Sequence, residues 1–136
     1  MNDDNQNPVI LFDGICNLCN GFVQFVIKRD REEKFRFASL QSEAAKQMLT
    51  KFNLPTKNFT TIVLVKDENI FLKSDAVLEI ARELKGWKWI CFFRKIIPRI
   101  VRNGMYDLIA RNRYRFFGKR EYCMVPAENQ IKRFMD

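Results

Sequence analysis

The chain has 136 residues, 47% of them apolar and 13% aromatic with thirteen phenylalanines, enough to bury a proper core as one domain. Lys and Arg outnumber Asp and Glu by 24 to 16, and the resulting +8 attracts acidic surfaces without identifying nucleic acid or membrane as the partner. Met1 to Pro8 is polar and slightly acidic, unlike a secretory signal, and no apolar run approaches the length that spans a bilayer, so the expected compartment is the cytoplasm.

In chain order, residues 1–8 are expected to be a flexible tail and 9–136 a single domain. Val9 to Phe12 is apolar throughout and predicts a central strand, stopped by Asp13-Gly14. A helix follows from about Cys16 to Arg29, burying Phe22, Phe25 and Val26, with Lys28, Arg29 and Arg31 complementing the negative end of its dipole. Lys34 to Ser39 predicts a second strand with Phe35 and Phe37 on one side, parallel to the first through a right-handed crossover. Ser42 is placed to cap a second helix ending near Phe52, before Asn53-Leu54-Pro55. Thr60 to Val65 and Ile70 to Leu72 predict a hairpin. Ser74 is read as the cap of a third helix whose Ala76, Val77, Ile80, Ala81 and Leu84 face inward, with Gly86 after its end. The result is a mixed four-stranded α/β sheet flanked by helices.

From about residue 87 a helical extension follows: Trp87 to Ile97, then Pro98 to Phe117, with proline acceptable in a first turn. Ile90, Phe93, Ile97, Ile100 and Val101 recur at helical spacing, and Lys88, Lys95, Arg99 and Arg102 recur on another face. The plain expectation is an apolar side packed on the core and a solvated basic side. A contact with an anionic membrane surface, with Trp87 and Trp89 at headgroup level, or with an acidic protein partner is the alternative. No nucleic-acid-binding motif accompanies the charge, so nucleic acid is not expected.

The chemistry is concentrated in Asp13-Gly14-Ile15-Cys16-Asn17-Leu18-Cys19. A Cys-x-x-Cys pair that follows a strand and opens a helix is the arrangement of thiol–disulfide exchange. Cys16 reads as the nucleophile, because helix N–H groups and the dipole favour its thiolate. Cys19 reads as the resolving thiol, which attacks the mixed disulfide on Cys16 and closes a redox-active disulfide. Half of a zinc site is a weaker reading: the chain has no histidine, and Cys91 and Cys123 are isolated. Two inert buried cysteines are the other bland reading, and burial in the core is also the default for Cys91 and Cys123. No cofactor is called for. Asp13 carries two open roles. It could accept the proton of the resolving thiol, or it could fix the turn by accepting backbone N–H bonds.

Asp13, Cys16 and Cys19 form a D-x-x-C-x-x-C signature that resembles the DCC family of thiol–disulfide oxidoreductases related to thioredoxin. Ser74-Asp75-Ala76 and Arg111-Asn112-Arg113-Tyr114 resemble that family as well. The resemblance covers about residues 9 to 134 and implies a thioredoxin-like fold, a thiol–disulfide exchange activity, and protein or small-molecule thiols and disulfides as partners. In thioredoxins a cis-proline precedes the third strand, whereas here that place falls near Thr60 or Thr61. The competing class is a non-catalytic thioredoxin-like binding module that acts through its basic C-terminal helices. Survival of activity in Cys16→Ser would favour that class.

Overall fold

The computed structural model describes residues 7–14, 17–30, 33–56, 61–66, 68–84, 86–117 and 134–135. Strand β1 (Val9–Phe12) leads to helix α1 (Asn17–Arg29), strand β2 (Arg36–Ser39) and helix α2 (Glu43–Lys51). The hairpin β3 (Val63–Lys66) and β4 (Asn69–Leu72) follows, then helix α3 (Lys73–Glu83). A short 3-10 helix (Lys88–Phe92), helix α4 (Phe93–Ile96), helix α5 (Arg99–Phe117) and a two-residue strand β5 (Phe134–Met135) complete the described chain.

The sheet order is β4-β3-β1-β2-β5. β1 runs parallel to β2 and antiparallel to β3, and β3 pairs antiparallel with β4. This is the mixed sheet of a thioredoxin-like fold, as the element order predicted. β5, which that order did not include, lies parallel to β2 with Phe37 opposite Phe134. The Phe134 ring packs at 5.4 Å from Phe37 and edge-on to Phe12 at 6.2 Å, so one aromatic residue ties the edge strand to the core.

All four residues of β1 are buried, because both faces of the sheet are covered. Ile10 and Phe12 join Val23, Val26, Phe35, Phe37, Ile80 and Leu84 on the side of α1 and α3. Val9 and Leu11, pointing the other way by the two-residue period of a strand, join Ala38, Ala45 and Leu49 on the side of α2. Fully burying such side chains stabilises the fold by about 1.5–3 kcal/mol each. Pro8, assigned to the tail by its polar neighbours, already touches the sheet: its carbonyl accepts the Arg36 N–H at 2.9 Å. Residues 1–6 lie outside the described residues.

Local signals hold at α2. Ser42 Oγ accepts the Ala45 N–H at 3.2 Å, and Asn53, at φ 60°, reverses the chain so that Leu54 N–H reaches the Leu49 carbonyl at 2.8 Å. At α3 the expectation fails. Leu72 occupies the capping position without a side-chain cap, and the helix begins at Lys73. Ser74, already inside the first turn, instead donates its hydroxyl to Asn103 Oδ1 of α5 and accepts from Arg102 Nη1.

The larger correction concerns α5. Its polar side packs on the domain and its apolar side faces out. Arg102, expected on a solvated face, has a side chain only 9% exposed and donates to Asp75 Oδ1 at 2.9 Å, while Arg99 reaches Asp75 Oδ2 at 3.2 Å. Lys73 pairs with Asp107 at 2.9 Å. Phe93, Ile100 and Val101, expected to pack inward, are exposed. The physical reason is the row of hydrogen-bonding partners that the start of α3 presents to α5: an apolar face there would leave Asp75 and Ser74 desolvated without these donors.

Further along α3, Lys66 joins Glu83 at 2.5 Å and lies 3.9 Å from the buried Glu79. The hydrogen bond from Lys66, helped by the charges of Lys66, Lys34 and Arg82 against a partial desolvation, holds the Glu83 carboxyl below the ordinary glutamate value. A carboxyl depressed in the folded state adds stability that is present above its unfolded pKa and lost as pH falls through its folded pKa. Glu83→Gln should therefore reduce stability by about 0.5–1 kcal/mol at neutral pH. That difference should vanish as pH falls below the usual glutamate range. Urea melts of both proteins across this range would test it; a difference that persists at low pH would mean the contact is not charge-dependent.

Candidate active site

Asp13 ends β1 and is fully buried. Gln41, just past β2, donates its Nε2 to Asp13 Oδ1 at 2.9 Å. The same side chain accepts the Gly14 N–H on Oε1 at 3.1 Å, and the Ser39 hydroxyl is bonded to that oxygen too. From the other side, Asn20 Nδ2 of α1 donates to the Gly14 carbonyl at 3.0 Å. The turn between strand and helix is thus clamped by one amide just past β2 and another from α1. These contacts exist because β1 and β2 are parallel neighbours, which brings the end of β2 beside the end of β1. Asn20 is itself buried, and among the described residues nothing donates to its Oδ1.

Cys19 lies in the first turn of α1, half-buried. Cys16 and Cys123 lie outside the described residues, as does Thr60. Cys19 borders an apolar cavity of about 200 Å³ formed with Leu18 and Phe22 of α1, Ile62 before β3, Val77 of α3, and Tyr106, Ile109 and Ala110 of α5. A wider apolar groove of about 530 Å³ adjoins it and shares Leu18, Phe22 and Val77. Gly21, Phe25, Ile80, Ala81, Leu84, Trp87 and Ile90 complete that groove. Phe22 and Phe25, expected to be buried by α1, instead line these openings between α1 and α3. Each of these two helices contributes residues spaced three and four apart, so the groove follows from two apolar stripes that do not quite meet.

At the place where thioredoxins carry a cis-proline, no cis bond occurs among the described residues. The Ile62 N–H is held by the Tyr106 hydroxyl at 2.9 Å, and the Ile62 carbonyl accepts the Lys73 N–H. The helical extension therefore helps build the wall facing Cys19, although its sequence read as an addition to a finished core. Cys91 is half-buried, with its Sγ 3.3 Å from the Leu78 carbonyl, and serves the packing of α3 against the 3-10 helix.

Residues 10–119 match the family model described as DCC1-like thiol-disulfide oxidoreductase. The chain belongs to the DCC1-like family. An "Uncharacterized protein YuxK" of Bacillus subtilis (strain 168) is 46% identical over 131 residues, covering 95% of this chain and 94% of that protein. The "DCC family protein At1g52590, chloroplastic" of Arabidopsis thaliana is 38% identical over 122 residues, covering 89% of this chain and 71% of that one. No solved structure matches the chain.

Within this DCC1-like domain the sequence motif named Asp13 and Cys19, but Gln41, Asn20 and Tyr106 carried little signal. Asn20 is detectable as an amide immediately after Cys19 in an otherwise largely apolar helix. Gln41 and Tyr106 are not: their partners stand 28 and 44 residues away. Among the described residues no helix is long and apolar enough to cross a membrane.

Proposed function

We propose that this DCC1-like protein is a cytoplasmic thiol–disulfide oxidoreductase that exchanges a dithiol for a disulfide through Cys16 and Cys19. The observation that supports this most is the position of Cys19. It stands in the first turn of the helix that follows the central strand and opens onto an apolar cavity. In the reaction, the Cys16 thiolate attacks one sulfur of a substrate disulfide, the substrate S–S bond breaks, and the departing sulfur takes a proton. Cys19 then loses its proton and attacks Cys16 Sγ. The mixed disulfide breaks, the second substrate thiol leaves, and a Cys16–Cys19 disulfide remains. The substrate has gained two electrons, which a thiol reductant of the compartment restores to the protein.

Asp13 is assigned as the proton acceptor for Cys19. Gln41 and Asn20 hold both the N–H and the carbonyl of Gly14, and Asp13 also serves the turn by accepting from Gln41. The cavity favours a substrate with an apolar group beside its disulfide. Both backbone groups of Ile62 are engaged, so that residue offers no free edge to an extended peptide.

Mild oxidation of the purified protein should remove two thiols and link Cys16 to Cys19, as read by thiol counting and mass spectrometry of alkylated peptides. If that pair stays reduced while Cys91 or Cys123 oxidises, or holds stoichiometric zinc, the assignment is wrong.

A further inference from the structure

α5 is turned inside out for a helix on a water-soluble domain. Arg102, Asn103, Tyr106 and Asp107, spaced as one helical face, bind α3 and the start of β3. Ile100, Val101, Met105 and Leu108 point away, and Ile100 is 86% exposed. A Cβ built on Gly104, on the line between Ile100 and Leu108, would meet nothing within 4 Å. In the segment before Pro98, Ile96, Phe92 and Trp89 are exposed as well, the last two by 61% and 60%. Single apolar side chains scattered on a surface need no explanation, but so many gathered in residues 89–108 mark an interaction site.

Charge indicates the occupant. Residues 87–117 carry eight Lys or Arg against the single Asp107, in a chain whose net charge is +8. Lys95, Arg99, Arg111 and Arg115 are exposed within the same segment, and Arg111 and Arg115 prolong the line of Ile100, Gly104 and Leu108. Arg29 adds a guanidinium 3.8 Å above the Phe25 ring, which packs on Trp87, which in turn stacks on Trp89. A second copy of this chain would bring like charges together at such a face. An anionic bilayer meets both demands, since headgroups neutralise the basic residues while the acyl boundary takes up the aromatic and aliphatic side chains.

We propose that the outward face of α4 and α5, with Trp89 and Phe92, is a docking surface for an anionic lipid bilayer. The protein lies on the membrane there and does not span it. The claim is independent of the thiol chemistry.

The test is co-sedimentation of the intact, reduced protein with phosphatidylglycerol-containing vesicles and with pure phosphatidylcholine vesicles. Binding to the anionic vesicles should be at least about tenfold tighter and should weaken with salt, since each basic residue near such a surface contributes about 1 kcal/mol. Ile100→Glu with Leu108→Glu should lower binding at least about tenfold and leave the thermal transition unchanged, because both side chains are exposed. In Trp87→Phe, where Trp89 is the remaining tryptophan, the emission should shift to the blue on anionic vesicles and be quenched by brominated acyl chains. Equal binding by the double glutamate variant, indifference to anionic lipid, or an unshifted Trp89 would overturn the proposal. So would a dimer in sedimentation equilibrium that the glutamate pair dissociates, since that would assign the face to a second copy.

Discussion

With a small disulfide as substrate, Cys19→Ser should accumulate a mixed disulfide on Cys16 as the other half of the substrate leaves as a thiol, and Cys16→Ser should accumulate almost none. The attacking residue precedes α1 in the chain, whereas Cys19 is within the helix and half-buried against Leu18, Phe22 and Ile62. A thiolate at a helix start is favoured by the N–H groups and the dipole, and a thiol inside the first turn gains less. With Cys19 replaced, attack proceeds and resolution cannot, so the adduct persists; with Cys16 replaced, turnover should fall to the level of the uncatalysed exchange. Asp13→Asn in the same assay tests the proton acceptor. Slower decay of the adduct with unchanged formation is expected, because asparagine retains the shape and can still meet Gln41. Alkylation rates against pH in single-cysteine variants decide the assignment. Faster labelling of Cys19 than of Cys16 at neutral pH would exchange the two roles.

Arg102→Glu should be the most destabilising single change on the C-terminal helices. Its guanidinium bonds Asp75 at 2.9 Å, the Ile97 carbonyl at 3.1 Å and Ser74 Oγ at 3.3 Å, and its side chain is nearly buried. Breaking a buried pair costs about 3–5 kcal/mol, and because Asp75 keeps Arg99 at 3.2 Å the loss should lie at the lower end of that range. The reversal also sets two carboxylates together. For a domain of this size a loss of 3 kcal/mol lowers the melting temperature by roughly 10–15 °C. Lys95→Glu, at an exposed position, should change it by no more than about a degree or two. Thermal denaturation of the two variants side by side reads the contrast. A similar small shift in both would mean that α5 does not contribute to the folding unit.

The sequence alone determined the strand β1 and the helix α1 that carries Cys19, the order of elements, and the inward stripe of α3. Each rests on neighbours within a few residues: the unbroken apolar run Val9 to Phe12, Ser42 three residues before the N–H it caps, and Ala76, Ile80 and Leu84 on one helical face. Local periodicity failed at Ser74, whose hydroxyl binds a residue 29 positions away instead of its own helix start. It failed more broadly at α5. An amphipathic pattern defines two sides of a helix but does not say which side the protein will bury. The answer depended on Asp75, Ser74 and Lys73, and on the Ile62 N–H, being already gathered on the surface that α5 meets. Gln41 on Asp13, Tyr106 at the wall of the Cys19 cavity and β5 on the edge of the sheet belong to the same class. Each joins segments far apart in the chain, and the free energy that places them arises only when the sheet has brought those segments together.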